Sequence, residues 1–168
     1  MKQLEALRDS VGALETRLHA NEAACDALLA AVHPDQRVSA RNFVHYVTVR
    51  QADLRELQAG LFRLGLSSLG RLEGHALDSI MRVRERLDDV IARHGGARAP
   101  LLAAAPPTWD DASRLLHEHT RALLGPRPAH RHVFVMVTAP AAAEVDAAWI
   151  EQLLRAGANV LRVNTAHE

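Results

Sequence analysis

The chain has 168 residues, 48% of them hydrophobic but only 4% aromatic, so a core must come from Leu, Val and Ala, in one domain or a small domain plus a further segment. Twenty Lys+Arg balance twenty Asp+Glu for zero net charge, which removes the basic surface that sequence-independent nucleic-acid binding requires. A single cysteine, Cys25, excludes an internal disulfide and a cysteine-based zinc cluster. Lys2 is the sole lysine, and with abundant Ala the Arg excess reads as codon bias. The N-terminus, MKQLEALRDSVG, lacks the apolar stretch of a secretory signal. No window approaches the roughly 20 apolar residues of a membrane span, so a cytoplasmic protein without membrane or nucleic-acid partners is expected.

Residues 2–32 carry Leu4, Leu7, Val11, Leu14 and Leu18 at alternating spacings of three and four, the stripe of a helix that packs on another helix. Glu5, Arg8, Glu15 and Arg17 are assigned to its other faces, and Cys25 to a small packing position. Pro34 ends the segment. A second helix is predicted over 40–64, with a break near Arg50 after the β-branched Val47-Thr48-Val49. Asn42, His45 and Tyr46 are expected to play a structural role inside it.

Gly65 stops that helix, and Ser67 or Ser68 is read as the cap of a third, running to about Arg93. The short turn predicts an antiparallel hairpin of long helices. The same turn, Gly65 to Arg71, could also hold an anion at a helix N-terminus, but an ordinary cap explains its serines. A helix-turn-helix reading meets Glu73, Asp78, Glu85, Asp88 and Asp89, which repel DNA phosphates. Residues 95–108, rich in Gly, Ala and Pro, read as a linker. A short helix follows from Trp109 or Asp110 to Leu124, with acidic residues at its positive end. His117 and His119 point to different sides of that helix. His130 and His132 could share a strand face but lack partners for a zinc set.

The last segment spells strand, helix, strand. His132 to Val137 is an apolar run of the kind a strand buried on both faces needs. Val145, Ala148, Trp149, Leu153 and Leu154 recur at helical spacing between Glu144 and Ala156, and Gly157 stands where a helix ends. Ala158 to Val163 makes a second strand. Two parallel strands need further elements to cover them, so the tail is expected to open something longer.

This tail resembles the start of the catalytic barrel of the pyruvate kinase family. The likeness rests on V-M-V-T-A-P (Val135 to Pro140) and L-L-R-A-G-A-N-V-L-R-V-N-T-A-H (Leu153 to His167). The segment Leu61 to Glu73 and the stretch around Asn42, His45 and Tyr46 resemble the helical leader of longer pyruvate-kinase-like proteins. The resemblance implies a mostly α chain: a helical leader over 1–94, a linker and short helix over 95–130, and over 131–168 the first βαβ of a truncated (β/α)8 barrel. It implies phosphoryl transfer between phosphoenolpyruvate and ADP with Mg2+, Arg162 binding substrate phosphate, Asn164 holding the monovalent cation and site geometry, and His167 near the nucleotide. Ala166 departs from the serine that ligates potassium in many members, which puts a K+ requirement in doubt. The acidic magnesium ligands and catalytic lysine would lie beyond Glu168, so this chain alone is expected to be inactive. The rival reading is a stand-alone helical interaction or regulatory module with a remnant barrel tail. An oligomer would form through the helical leader.

Overall fold

The computed structural model describes residues 1–96, 107–140 and 145–165. It is mostly helical with one small parallel sheet: α1 (Lys2–Ala24), α2 (Asp26–Ala31), a 3-10 turn (Pro34–Gln36), α3 (Arg37–Arg50), α4 (Arg55–Arg63), α5 (Ala76–Arg93), α6 (Trp109–Leu124), β1 (Met136–Thr138), α7 (Ala147–Arg155) and β2 (Val160–Arg162). The chain divides within α6 into two compact units, Met1–Arg114 and Leu115–Glu168. No helix among the described residues is long and apolar enough to cross a membrane.

The stripe of α1 organises the first unit. Val11, Leu14 and Leu18 are buried, and Leu4 and Leu7 pack at the edge of the same core. Against them lie Val49 of α3, Leu57 and Leu61 of α4, and Leu77, Ile80, Val83 and Leu87 of α5. Each such side chain removed from water contributes about 1.5–3 kcal/mol. Gly60 lets the Leu7 side chain of α1 lie close against α4: a Cβ there would stand 2.5 Å from Leu7 Cδ2, which would have to shift. Cys25 is half-buried at the junction of α1 and α2 rather than in the core.

One expectation is met and one is corrected here. The break near Arg50 divides 40–64 into two helices separated at 51–54, where Asp53 Oδ1 accepts the backbone N–H of Arg55 at 3.2 Å beside the start of α4. The hairpin with a short turn is absent, because residues 64–75 are irregular and α5 begins only at Ala76. Ser67 caps no helix; its Oγ accepts from Leu69 N in a local turn. Leu69 takes φ 57°, a left-handed conformation that costs a non-glycine residue roughly 1–2 kcal/mol. Burial of Leu69 and Leu72 in the core holds the segment in place.

The start of α5 is capped from a distance. Asn42 Oδ1 on α3 accepts from Ala76 N at 2.8 Å, while its Nδ2 donates to the Glu73 carbonyl at 2.6 Å. Both ends of one buried amide are thereby used, as a buried polar group requires. Beside it His45, 1% exposed, places Nε2 2.8 Å from Glu22 Oε2, and Glu22 Oε1 meets Arg41 at 2.7 Å. Burial lowers the His45 pKa, with Glu22 opposing. These contacts tie α3 to α1 and give Asn42 and His45 structural roles.

Because the core cluster lies wholly between Val11 and Leu87, a fragment of residues 1–94 should fold by itself. Circular dichroism should show cooperative loss of helix on heating; a shallow, featureless melt would contradict this.

Candidate functional site

The second unit is built on one parallel pair. Met136 pairs with Val160, Val137 with Leu161 and Thr138 with Arg162, and α7 forms the connection between the strands. The helix starts where Asp146 Oδ1 accepts from Trp149 N at 2.7 Å, a side-chain cap for an otherwise unsatisfied donor. It ends at Gly157, whose φ of 102° favours glycine.

The strands are shorter than predicted, three residues each, and the first is not buried on both faces. Met136 is 57% and Val133 63% exposed, because a two-stranded sheet with one helix leaves apolar surface uncovered. Among the described residues of 115–165 only Ala158 is buried. His130 and His132 precede β1 and so share no strand face.

The register brings the C-terminal ends of both strands together. Arg162 is the last residue of β2, exposed, and its carbonyl accepts from Ala139 N at 2.8 Å in the turn that leaves β1. Asn164 follows two residues on and is also exposed. The structure therefore sets Arg162 beside the Thr138-Ala139-Pro140 turn. His167 and Ala166 lie outside the described residues, as do 97–106 of the expected linker.

The opposite end of the sheet is held by a residue that the sequence reading passed over. Arg131 Nη2 donates to Asn159 Oδ1 at 2.8 Å and to the Gly157 carbonyl, and Asn159 Oδ1 also accepts from Val135 N at 3.1 Å. One guanidinium and one amide thus bind the approach to β1 to the turn before β2. The partners are 24–28 positions apart, so no local pattern announces them.

No trio of His, Cys, Asp or Glu among the described residues is placed to hold a metal ion. An exposed guanidinium at a strand end can bind an anion by charge and by its fork of N–H donors. Compared with protein-family models, curated proteins and solved structures, the chain finds no match.

Proposed function

We propose that residues 131–168 are the opening βαβ of a pyruvate-kinase-like (β/α)8 barrel and residues 1–94 its helical leader. On this reading the chain is the N-terminal portion of a phosphotransferase acting between phosphoenolpyruvate and ADP. The observation that supports it most is the parallel register of β1 and β2, with Arg162 beside the turn after β1. In such barrels the C-terminal ends of strands deliver the active-site groups. Phosphoryl transfer is chiefly positioning and charge neutralisation. Arg162 would take the substrate phosphate through its guanidinium, Asn164 would fix the loop geometry and cation, and His167 would stand near the nucleotide. The uncovered apolar faces of β1 and α7 suit packing against further barrel elements.

Magnesium, which this activity implies, is not fitted by the described residues, which offer no converging set of acidic ligands. The sole lysine is Lys2, in the leader. The polypeptide 1–168 should therefore show no pyruvate kinase turnover. A coupled assay of the purified chain checks this; saturable, magnesium-dependent turnover above blank would contradict it. The rival reading, a helical interaction module with a barrel remnant, is favoured by the self-contained core of the first unit. It predicts that Arg162 is dispensable wherever activity is found.

A further inference from the structure

Independently of the barrel reading, we infer that the exposed face of α6 is a docking surface for a second copy of this chain, paired antiparallel about a two-fold axis at Leu116. Helix α6 contributes no residue to the buried core. Trp109, Leu116 and Leu123 recur on it at seven-residue steps and are 62%, 70% and 82% exposed. Side chains at that spacing form one stripe along a helix, the seam that a partner helix covers. The stripe of α1 and that of α5, by contrast, are buried. An apolar row left in water at regular spacing marks a contact surface, unlike apolar residues exposed singly.

The charges beside the stripe select a copy of α6 itself. A two-fold interface must be self-complementary. With Leu116 on the axis, Trp109 of one copy lies level with Leu123 of the other, and Asp110 lies level with the residue next to Arg121. Asp110 and Arg121 stand roughly 100° and 120° around the helix from Trp109, on the same flank of the stripe. Flanking residues on one side of an antiparallel pair face each other, so Asp110 of each copy meets Arg121 of the other. Both side chains are exposed, and neither is in an ion pair within the chain among the described residues. Asp111 is held differently, by Thr108 and by Arg114 at 3.3 Å, and faces away from the stripe.

The helix is also polarised in the sense this pairing needs. Asp110 and Asp111 occupy its first turn and Arg121 its last. Antiparallel packing sets the acidic end of each helix beside the basic end of the other and opposes the two macrodipoles. A parallel pair would set like charge against like. One helix pair lies below the size of a standard interface, about 1,200 Å2, so the dimer is weak, with a dissociation constant on the order of 100 μM.

Sedimentation equilibrium of the whole chain at pH 8, where histidines are uncharged, should show a reversible dimer. Leu116→Asp, altered at an exposed side chain, should weaken it at least tenfold while the helical circular dichroism is kept. Asp110→Arg and Arg121→Asp should each weaken it, and the two together should restore it. Direction is read by cross-linking in a Cys25→Ser background under oxidised glutathione. Leu116→Cys should link to itself. Trp109→Cys and Leu123→Cys should each fail to do so alone, since their copies stand about 20 Å apart, yet a mixture of the two should link. A monomer up to about millimolar concentration would overturn the inference and leave the stripe to another partner. So would a dimer unchanged by Leu116→Asp, held through the uncovered sheet instead, or self-linking of Trp109→Cys alone, the sign of a parallel pair.

Discussion

Arg84→Ala should lower the unfolding free energy of the first unit by about 3 kcal/mol, the low end of the cost of stripping one partner from a buried ion pair. Arg84 Nη1 on α5 lies 2.6 Å from Glu15 Oε2 on α1, with side-chain exposures of 13% and 2%. Glu15 sits between Leu14 and Leu18 of the core stripe, so it cannot turn to water without unpacking α1. Asp88, fully buried one turn further along α5, acts electrostatically on Arg8 of α1. The seam between α1 and α5 is thus doubly charged, and removing one cation leaves a carboxylate uncompensated. Replacing both partners, Glu15→Leu with Arg84→Leu, should recover most of the loss. Urea unfolding decides: a cost below about 1 kcal/mol for Arg84→Ala would mean that the pair is not the seam's main restraint.

The same seam sets a pH dependence. Burial raises the Glu15 pKa above the ordinary carboxyl value, with Arg84 and then His19 opposing. A raised folded pKa means that the native state binds the proton more readily than the unfolded chain. The Glu15 contribution is therefore complete below the unfolded value of about 4.3 and is lost as pH rises through the folded value. Without Arg84 the folded value climbs further. The deficit of Arg84→Ala should accordingly be smaller at pH 4 than at pH 8, and equal deficits at both would contradict the electrostatic account.

Periodicity made the buried face of α1 readable, because 3,4 spacing is imposed by helix geometry. It misled at Glu15, since charge alone sends a side chain to solvent and the partner that keeps it inside is 69 residues away. The mostly helical composition and the parallel strand pair were legible from apolar runs and from Gly157. Residues 64–75 were not, because Ser67-Ser68 matches a helix cap as well as it matches the local turn it forms. What separates the two is the burial of Leu69 and Leu72 and the remote amide of Asn42, neither visible locally. Arg162 and Asn164 were readable as residues at the C-terminal end of a strand. That Arg162 lies beside the Thr138 turn depends on register, which the apolar pattern alone leaves unspecified.

Joined to the remainder of a barrel, a chain carrying these residues should lose on the order of a hundredfold in kcat/KM on Arg162→Ala, about 3 kcal/mol by analogy with deleting a preorganised donor to developing charge. The physical reason is the placement of Arg162 as the last residue of β2, exposed and adjacent to the turn after β1. There its five N–H donors can meet phosphate oxygens in a fixed fork. Arg162→Lys keeps the charge but not the fork and should recover only part of the loss. If the contact strengthens in the transition state, kcat falls along with kcat/KM; a rise in KM alone would indicate ground-state binding only. Arg131→Ala should behave differently, since its guanidinium holds Gly157 and Asn159 at the other end of the sheet. It should lower stability before it lowers the activity of molecules that remain folded. Steady-state kinetics with phosphoenolpyruvate varied distinguish these outcomes, and wild-type values for a folded Arg162→Ala protein would remove Arg162 from the site.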